Sequence, residues 1–281
     1  MTGLGVLAWL SCQFFGQAAA GAAGVRETAV EYAGTEGAMP AKLFVPESEG
    51  SRPGVLVLHT IIGPSPEVEA FARRLAEEGF VAMTPDLFGL HEFGSEGRVD
   101  HPLVLGDLKG ALSYLKGLPQ VDPTRLGVVG FSFGGRLAVL AAALHPEIRV
   151  AVDYYGMTSY QALAGHREVG GRALTSVPLT ERANAIGAAV LIHHGEADRT
   201  NPVEQGRLLH AALSRAGKRS LLYTYPGADH LFNFPGSQHH SEASRLSWER
   251  TLAVLRDHLQ GRRGAWLPRP AGAESPRGAG R

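Results

Sequence analysis

The feature that most constrains this chain is a series of short apolar runs, each one strand long, spaced by segments with helical periodicity. Residues Gly54 to His59 read G-V-L-V-L-H, with no alternation between apolar and polar positions. A strand of this kind is covered on both faces, as in a parallel sheet flanked by helices. Phe80–Thr84, Arg125–Phe131, Val150–Tyr154, Ala188–His193 and Leu221–Tyr225 are further strand candidates, and Ala41–Val45 is a shorter one that stops at Pro46. Between them, Val68, Phe71, Ala72, Leu75 and Ala76 fall at i, i+3, i+4, i+7 and i+8, the apolar stripe of a helix. Leu105, Leu108, Leu112 and Leu115 mark a helix over Leu103–Leu118, and Gly135–His145 is an Ala/Leu helix ended by Pro146. Pro202–Ala216 reads as a helix with Asn201 as N-cap. Ser241–Leu259 reads as the last helix, with Trp248, Leu252, Leu255 and Leu259 as its buried stripe. Strands alternating with helices predict one α/β domain over residues 25–260, with a mostly parallel central sheet and helices on both faces. Met157–Gly187 is the longest irregular stretch, either a lid or a surface connection.

The ends of the chain read differently. Leu4–Phe15 is apolar and Gln17–Ala23 is rich in small residues, the layout of a cleaved secretory signal. Residues 1–24 are therefore expected to be a leader, either a signal whose cleavage would export the protein and remove Cys12, its single cysteine, or an unprocessed, poorly ordered segment of a cytoplasmic protein. One cysteine excludes an intrachain disulfide and a cysteine-built metal site. Residues 261–281 are rich in Gly, Pro and Arg and read as a disordered tail. Lys and Arg total 27, as do Asp and Glu, so the basic excess of a nucleic-acid binder is absent. No apolar run reaches the 18 to 20 or so residues of a membrane span.

Chemistry concentrates at the ends of three strands. Gly130-Phe131-Ser132-Phe133-Gly134 matches G-x-S-x-G. In a chain with 36 glycines the pattern alone is weak. Its position, directly after an apolar strand and before an Ala/Leu helix, is the strand–turn–helix of a nucleophile elbow. A serine hydroxyl needs a base, and the base needs an acid to orient it. Asp198 follows the Ala188–His193 strand and His230 follows the Leu221–Tyr225 strand, giving the order Ser, Asp, His. Glu196 is the rival acid. Two backbone amides are expected to hold the oxyanion: that of Phe133, after the nucleophile, and that of Ile61, in the loop after His59. His239-His240 lacks a third ligand and reads as solvated loop, and His193-His194 reads as strand-end packing. No metal or cofactor is called for.

These segments carry a family resemblance. The stretches R-P-G-V-L-V-L-H-T-I-I-G, A-E-E-G-F-V-A-M-T-P-D-L-F-G, V-D-P-T-R-L-G-V-V-G-F-S-F-G-G and Y-P-G-A-D-H-L-F occur in that order. From about Val25 to Leu259 the chain resembles the dienelactone hydrolases, a family with the three-layer α/β-hydrolase fold. The resemblance implies that Ser132, Asp198 and His230 are the triad and that Ile61 and Phe133 are the oxyanion donors. It also shows departures. Founding members of the family use a cysteine where this chain has Ser132, and a glutamate where it has Thr60. They clamp a substrate carboxylate with two arginines, at positions that hold Leu90 and Phe234 here.

The expected activity is hydrolysis of small, uncharged esters or lactones through an acyl-enzyme. Peptide or amide hydrolysis by the same triad is the alternative, and a non-catalytic binding role on this fold is a more distant one. Arg136 and Arg199 have structural readings, on the helix after the elbow and in the turn after Asp198. Arg172 is the candidate for a replacement clamp.

Overall fold

Strand β3 (Arg52–Leu58) lies near the middle of an eight-stranded sheet and shows why its sequence is apolar throughout. Leu56 and Leu58 point into one core cluster and Val55 and Val57 into another, on the opposite face. The computed structural model describes residues 24–89, 101–159, 168–169, 172–173 and 177–261. Cys12, the leader, Leu90 and the tail from residue 262 lie outside the described residues.

The strands are β1 (Val25–Ala33), β2 (Ala38–Pro46), β3, β4 (Val81–Pro85), β5 (Val121–Phe131), β6 (Ile148–Tyr154), a two-residue pair β7 (Glu168–Val169) and β8 (Arg172–Ala173), β9 (Ala189–Gly195) and β10 (Ser220–Tyr225). The helices are α1 (Pro66–Glu77), α2 (Pro102–Gly117), α3 (Phe133–Leu144), the single turn α4 (Leu179–Arg182), α5 (Glu204–Arg215) and α6 (Ser241–Leu259). The main sheet runs β1-β2-β4-β3-β5-β6-β9-β10. Only β1 with β2 and β2 with β4 pair antiparallel in it; every other pairing is parallel. Apolar residues of α1 and α6 fill the cluster on one face, and those of α2, α3 and α5 fill the other. This is the three-layer α/β architecture that the sequence predicts. Among the described residues no helix is long and apolar enough to cross a membrane.

Several boundaries differ from the sequence expectation. β1 has no counterpart in it, because this edge strand is mostly exposed and carries no apolar alternation. In α2 the buried face is Val104, Leu108, Ala111, Leu112 and Leu115, and Leu105 is only half-buried. Trp248 is likewise half-buried, and its place in the α6 stripe is taken by Ser247 and Thr251. Thr251 is buried there because its hydroxyl meets both Tyr154 Oη (2.8 Å) and His193 Nε2 (3.0 Å). Asn201 is not an N-cap: α5 starts at Glu204, after Val203. Of the irregular stretch, Leu179–Arg182 forms α4 and 183–185 a 3₁₀ turn.

Candidate active site

In a parallel sheet every strand delivers its carboxyl end to the same edge, where sites form. The elbow lies at that edge between β5 and α3. Ser132 has φ 55° and ψ −112°, a conformation that costs a non-glycine residue about 1–3 kcal/mol. The surroundings impose it. Ser132 N–H donates to Tyr154 O (2.9 Å), and Ser132 O accepts from Arg136 N–H (3.1 Å). Both motif glycines are dictated by space: a Cβ on Gly130 would overlap the Gly134 carbonyl, and one on Gly134 would overlap the carbonyls of Leu58 and His59. The side chain of Ser132 is thus presented at the first turn of α3, where helix amides and dipole favour negative charge.

The loops after β9 and β10 are tied to each other. Glu196 N–H donates to Tyr225 O and Ala197 N–H to Ala228 O, both at 2.9 Å. Arg199 donates to Asp229 through its backbone N–H and its Nη2, both at 3.1 Å. In this register His230 Nδ1 lies 2.8 Å from Asp198 Oδ2, and His230 Nε2 lies 3.0 Å from Ser132 Oγ. A carboxylate only accepts, so Nδ1 carries the hydrogen and the Nε2 lone pair receives the serine hydroxyl. Asp198 is fixed from behind, its Oδ1 accepting from Thr200 N–H (2.9 Å) and Asn201 N–H (2.8 Å). Its side chain is fully buried. Glu196, the rival acid, is exposed and takes a hydrogen bond from Thr224 Oγ1 (2.6 Å).

Phe133 opens α3. Ile61 lies in a tight turn, Thr60 to Gly63, that leaves the end of β3, the neighbour of β5. Phe234 is buried against Phe131, the residue before Ser132, with ring centroids 4.7 Å apart. Leu90 lies outside the described residues. Arg172 belongs to β8, and its side chain lies outside them too. His240 caps α6, its Nδ1 accepting from Ala243 N–H (3.3 Å), and His239 Nδ1 donates to Phe234 O (3.2 Å). His193 and His194 are buried, and burial lowers the basicity of both rings.

Some supporting residues were not anticipated. Tyr155, at φ 45°, sets its ring 4.7 Å from that of His230 and donates its hydroxyl to Asn233 Oδ1 (2.6 Å). Asn201 links this tyrosine to the acid, donating Nδ2 to Tyr155 O (2.8 Å) and its N–H to Asp198. Positive φ at a tyrosine or leucine has no local sequence signal, yet Ser132, Tyr155 and Leu231 are the described non-glycine residues that adopt it, and all three border the site. Arg136 is fully buried and donates to the carbonyls of Met157, Thr158 and Val177.

Beneath the elbow, burial drives the carboxyl of Asp153 up to about 7, against the opposing pull of the Gly156 amide and Arg136. Gly156 N–H donates to its Oδ1 (2.8 Å), while Oδ2 is buried without a partner. An unfolded aspartate ionises near pH ~3.9. Between that value and about 7 the folded chain therefore holds a proton that the unfolded chain has lost, and stability falls as pH rises through this window. Asp153→Asn removes that titration. Thermal unfolding at pH 5 and pH 8 is expected to show a smaller loss of Tm in the variant than in the wild type. Equal losses would contradict the assignment.

The chain is similar to known proteins in sequence and in fold. The family model described as "Dienelactone hydrolase family" matches residues 39–259. A Bradyrhizobium protein named "Probable 2-oxo-3-(5-oxofuran-2-ylidene)propanoate lactonase" is 32% identical over 241 residues, covering 79% of this chain and 91% of its own. A Methylorubrum extorquens protein named "Putative carboxymethylenebutenolidase" is 30% identical over 237 residues, covering 79% and 78%. A crystal structure from Klebsiella pneumoniae, described as a "Putative Dienelactone Hydrolase", superposes with a TM-score of 0.70 at 27% identity, covering 83% of this chain and 98% of that one. The chain belongs to the dienelactone hydrolase family, with the α/β-hydrolase fold.

Proposed function

We propose that this protein is a serine hydrolase of small carboxylic esters and lactones, with Ser132, His230 and Asp198 as its catalytic residues. The observation that carries the reading is the continuous hydrogen-bonded chain from Ser132 Oγ through His230 to Asp198, at 3.0 Å and 2.8 Å. His230 Nε2 takes the hydroxyl proton as Oγ attacks the carbonyl carbon. The amides of Ile61 and Phe133 receive the oxygen that becomes negative. As the tetrahedral species collapses, His230 returns the proton to the departing alkoxide, and the acyl group remains on Oγ. A water, deprotonated by His230, then releases the acid and restores Ser132. The lactonase and butenolidase names of the relatives support an ester or lactone carbonyl as the target. The test is an aryl ester beside the matched aryl amide. Turnover of the ester with little or none of the amide is the expected result, and preference for the amide would overturn it.

The acyl or leaving group is uncharged in this reading. A cleft of about 360 Å³ lies between the start of α1 and the loop after His230, with Pro66, Ala70, Phe71, Phe234 and Pro235 as its apolar lining and Glu67, Arg74, Asn233 and His239 as its polar lining. Phe71 and Phe234 both pack on Phe131, at 5.0 Å and 4.7 Å. The guanidinium of Arg74, which also lines the cleft, is stacked over Trp248 at 3.9 Å. A carboxylate placed against Phe234 would lose its water without gaining the bidentate partner that a planar anion needs. The expected result is a kcat/KM at least about tenfold higher for a neutral ester than for a carboxylate-bearing dienelactone of similar size, a gap of roughly 1.4 kcal/mol. A higher kcat/KM for the anionic lactone would refute it and make Arg172 the first suspect as clamp.

A further inference from the structure

His59 stands at the end of β3, buried, and the proposed triad makes no use of it. Its ring joins two loops. Nδ1 is 2.7 Å from Thr60 O, and Nε2 is 3.1 Å from Leu87 N. A carbonyl only accepts and an amide only donates, so the ring is neutral, with its hydrogen on Nδ1. The backbone of His59 abuts the elbow as well, since its carbonyl is one of the atoms that exclude a Cβ from Gly134. Its ring also meets Phe88 edge-on at 4.7 Å, and Phe88 packs on Phe133 at 5.4 Å.

Thr60 O and Ile61 N–H belong to one peptide unit. That unit is planar and trans, so its N–H points opposite to its C=O. Whatever fixes the direction of the Thr60 carbonyl therefore fixes the direction of the Ile61 amide. The turn supplies part of this hold, with Gly63 N–H on Thr60 O (3.2 Å) and Ile62 N–H on Thr60 Oγ1 (3.4 Å). The shorter bond to that carbonyl is the one from His59. We infer that His59 is a positioning residue for the oxyanion site: its Nδ1–H holds the Thr60–Ile61 peptide so that the Ile61 amide faces the carbonyl oxygen of the substrate. The inference rests on the serine-hydrolase reading above. It adds a requirement for a hydrogen-bond donor at one defined atom of residue 59.

That requirement separates positioning from simple packing. The side-chain amide nitrogen of asparagine can occupy the place of Nδ1, whereas the longer glutamine places its amide near Nε2. His59→Asn preserves the donor to Thr60 O and loses the acceptor for Leu87 N–H; His59→Gln does the reverse; His59→Leu loses both. Deleting an oxyanion donor outright costs about 10² to 10³ in kcat. A donor left in place but loosely held is expected to cost about 10- to 100-fold by the same measure.

The experiment is kcat and KM on a neutral aryl ester for the three variants and Ser132→Ala. Inhibition by an aryl trifluoromethyl ketone, which adds to the serine and places an oxyanion in the site, is measured alongside. His59→Leu and His59→Gln are expected to lose kcat with KM nearly unchanged and to bind the ketone proportionately less well. His59→Asn should retain most of both. An inactive Ser132→Ala, with asparagine no better than glutamine or with the loss falling on KM, overturns the role of His59 alone. Full activity in Ser132→Ala overturns the parent reading and the role of His59 with it.

Discussion

Ser132→Ala and His230→Ala are each expected to lower kcat by roughly 10⁴- to 10⁶-fold. The loss is this large because the two side chains form one device. Without Oγ there is no nucleophile for His230 to activate, and without His230 a hydroxyl at neutral pH keeps its proton. For the same reason the double variant should be no slower than the worse single one. The fold should tolerate Ser132→Ala well. Alanine meets the same backbone strain at φ 55°, and the side-chain hydrogen bond lost is that to His230. His230→Ala leaves Asp198 buried, but two amides still hold its Oδ1, so a lowered Tm rather than unfolding is expected. Thermal unfolding beside steady-state kinetics checks both halves. Wild-type esterase activity in a folded Ser132→Ala protein would remove the elbow from the mechanism.

How much of this arrangement was legible in the sequence follows from which interactions are local. A strand buried on both faces declares itself by an unbroken apolar run, and β3, β6 and β9 lie within a residue or two of their expected bounds at most edges. β5 starts at Val121, four residues before the expected Arg125, because Val121 and Asp122 pair with Arg52 and Pro53 across a break in register. Such a bulge leaves no periodic trace. β1 was missed for the converse reason: most of its residues face solvent, and its pairing with β2 supplies the order.

The three chemical side chains were legible because each follows an apolar strand, and parallel strands bring those ends to one edge. Their supports were not. Tyr155, Asn201 and His59 act on groups brought near by the fold or through backbone atoms, where residue type carries little information. Asn201 is the clearest case: its polarity and place before a helix suggest a cap, but the helix starts later and its amides serve Tyr155 and Asp198 instead. Arg136 likewise follows the elbow by one helical turn, yet only the fold brings the carbonyls of Met157, Thr158 and Val177 to its guanidinium.

Asp198→Asn is expected to lower kcat by about 10⁴-fold, although asparagine has nearly the same shape. The cause is the direction of hydrogen bonding. Asp198 Oδ1 accepts two backbone amides, from Thr200 and Asn201, while Oδ2 accepts from His230 Nδ1. An asparagine must keep its oxygen toward the two amides, which turns its NH₂ toward His230. A donor there requires a lone pair on Nδ1, so the imidazole hydrogen moves to Nε2 and the ring can no longer accept the proton of Ser132. If the side chain flips instead, the NH₂ faces two amide donors in a buried site, and each unsatisfied donor there costs about 1–3 kcal/mol. The flipped side chain would give His230 its usual tautomer, but only at that cost and without the negative charge that stabilises the imidazolium. Glu196→Gln, by contrast, alters an exposed carboxylate whose partner is the Thr224 hydroxyl, and its kcat should stay within a few-fold of wild type. Steady-state kinetics on the two variants, with Tm measured on each, ranks them. If Glu196→Gln proved the more damaging, the orienting carboxylate would have to be Glu196, and the loop after β9 would have to rearrange to bring it to His230.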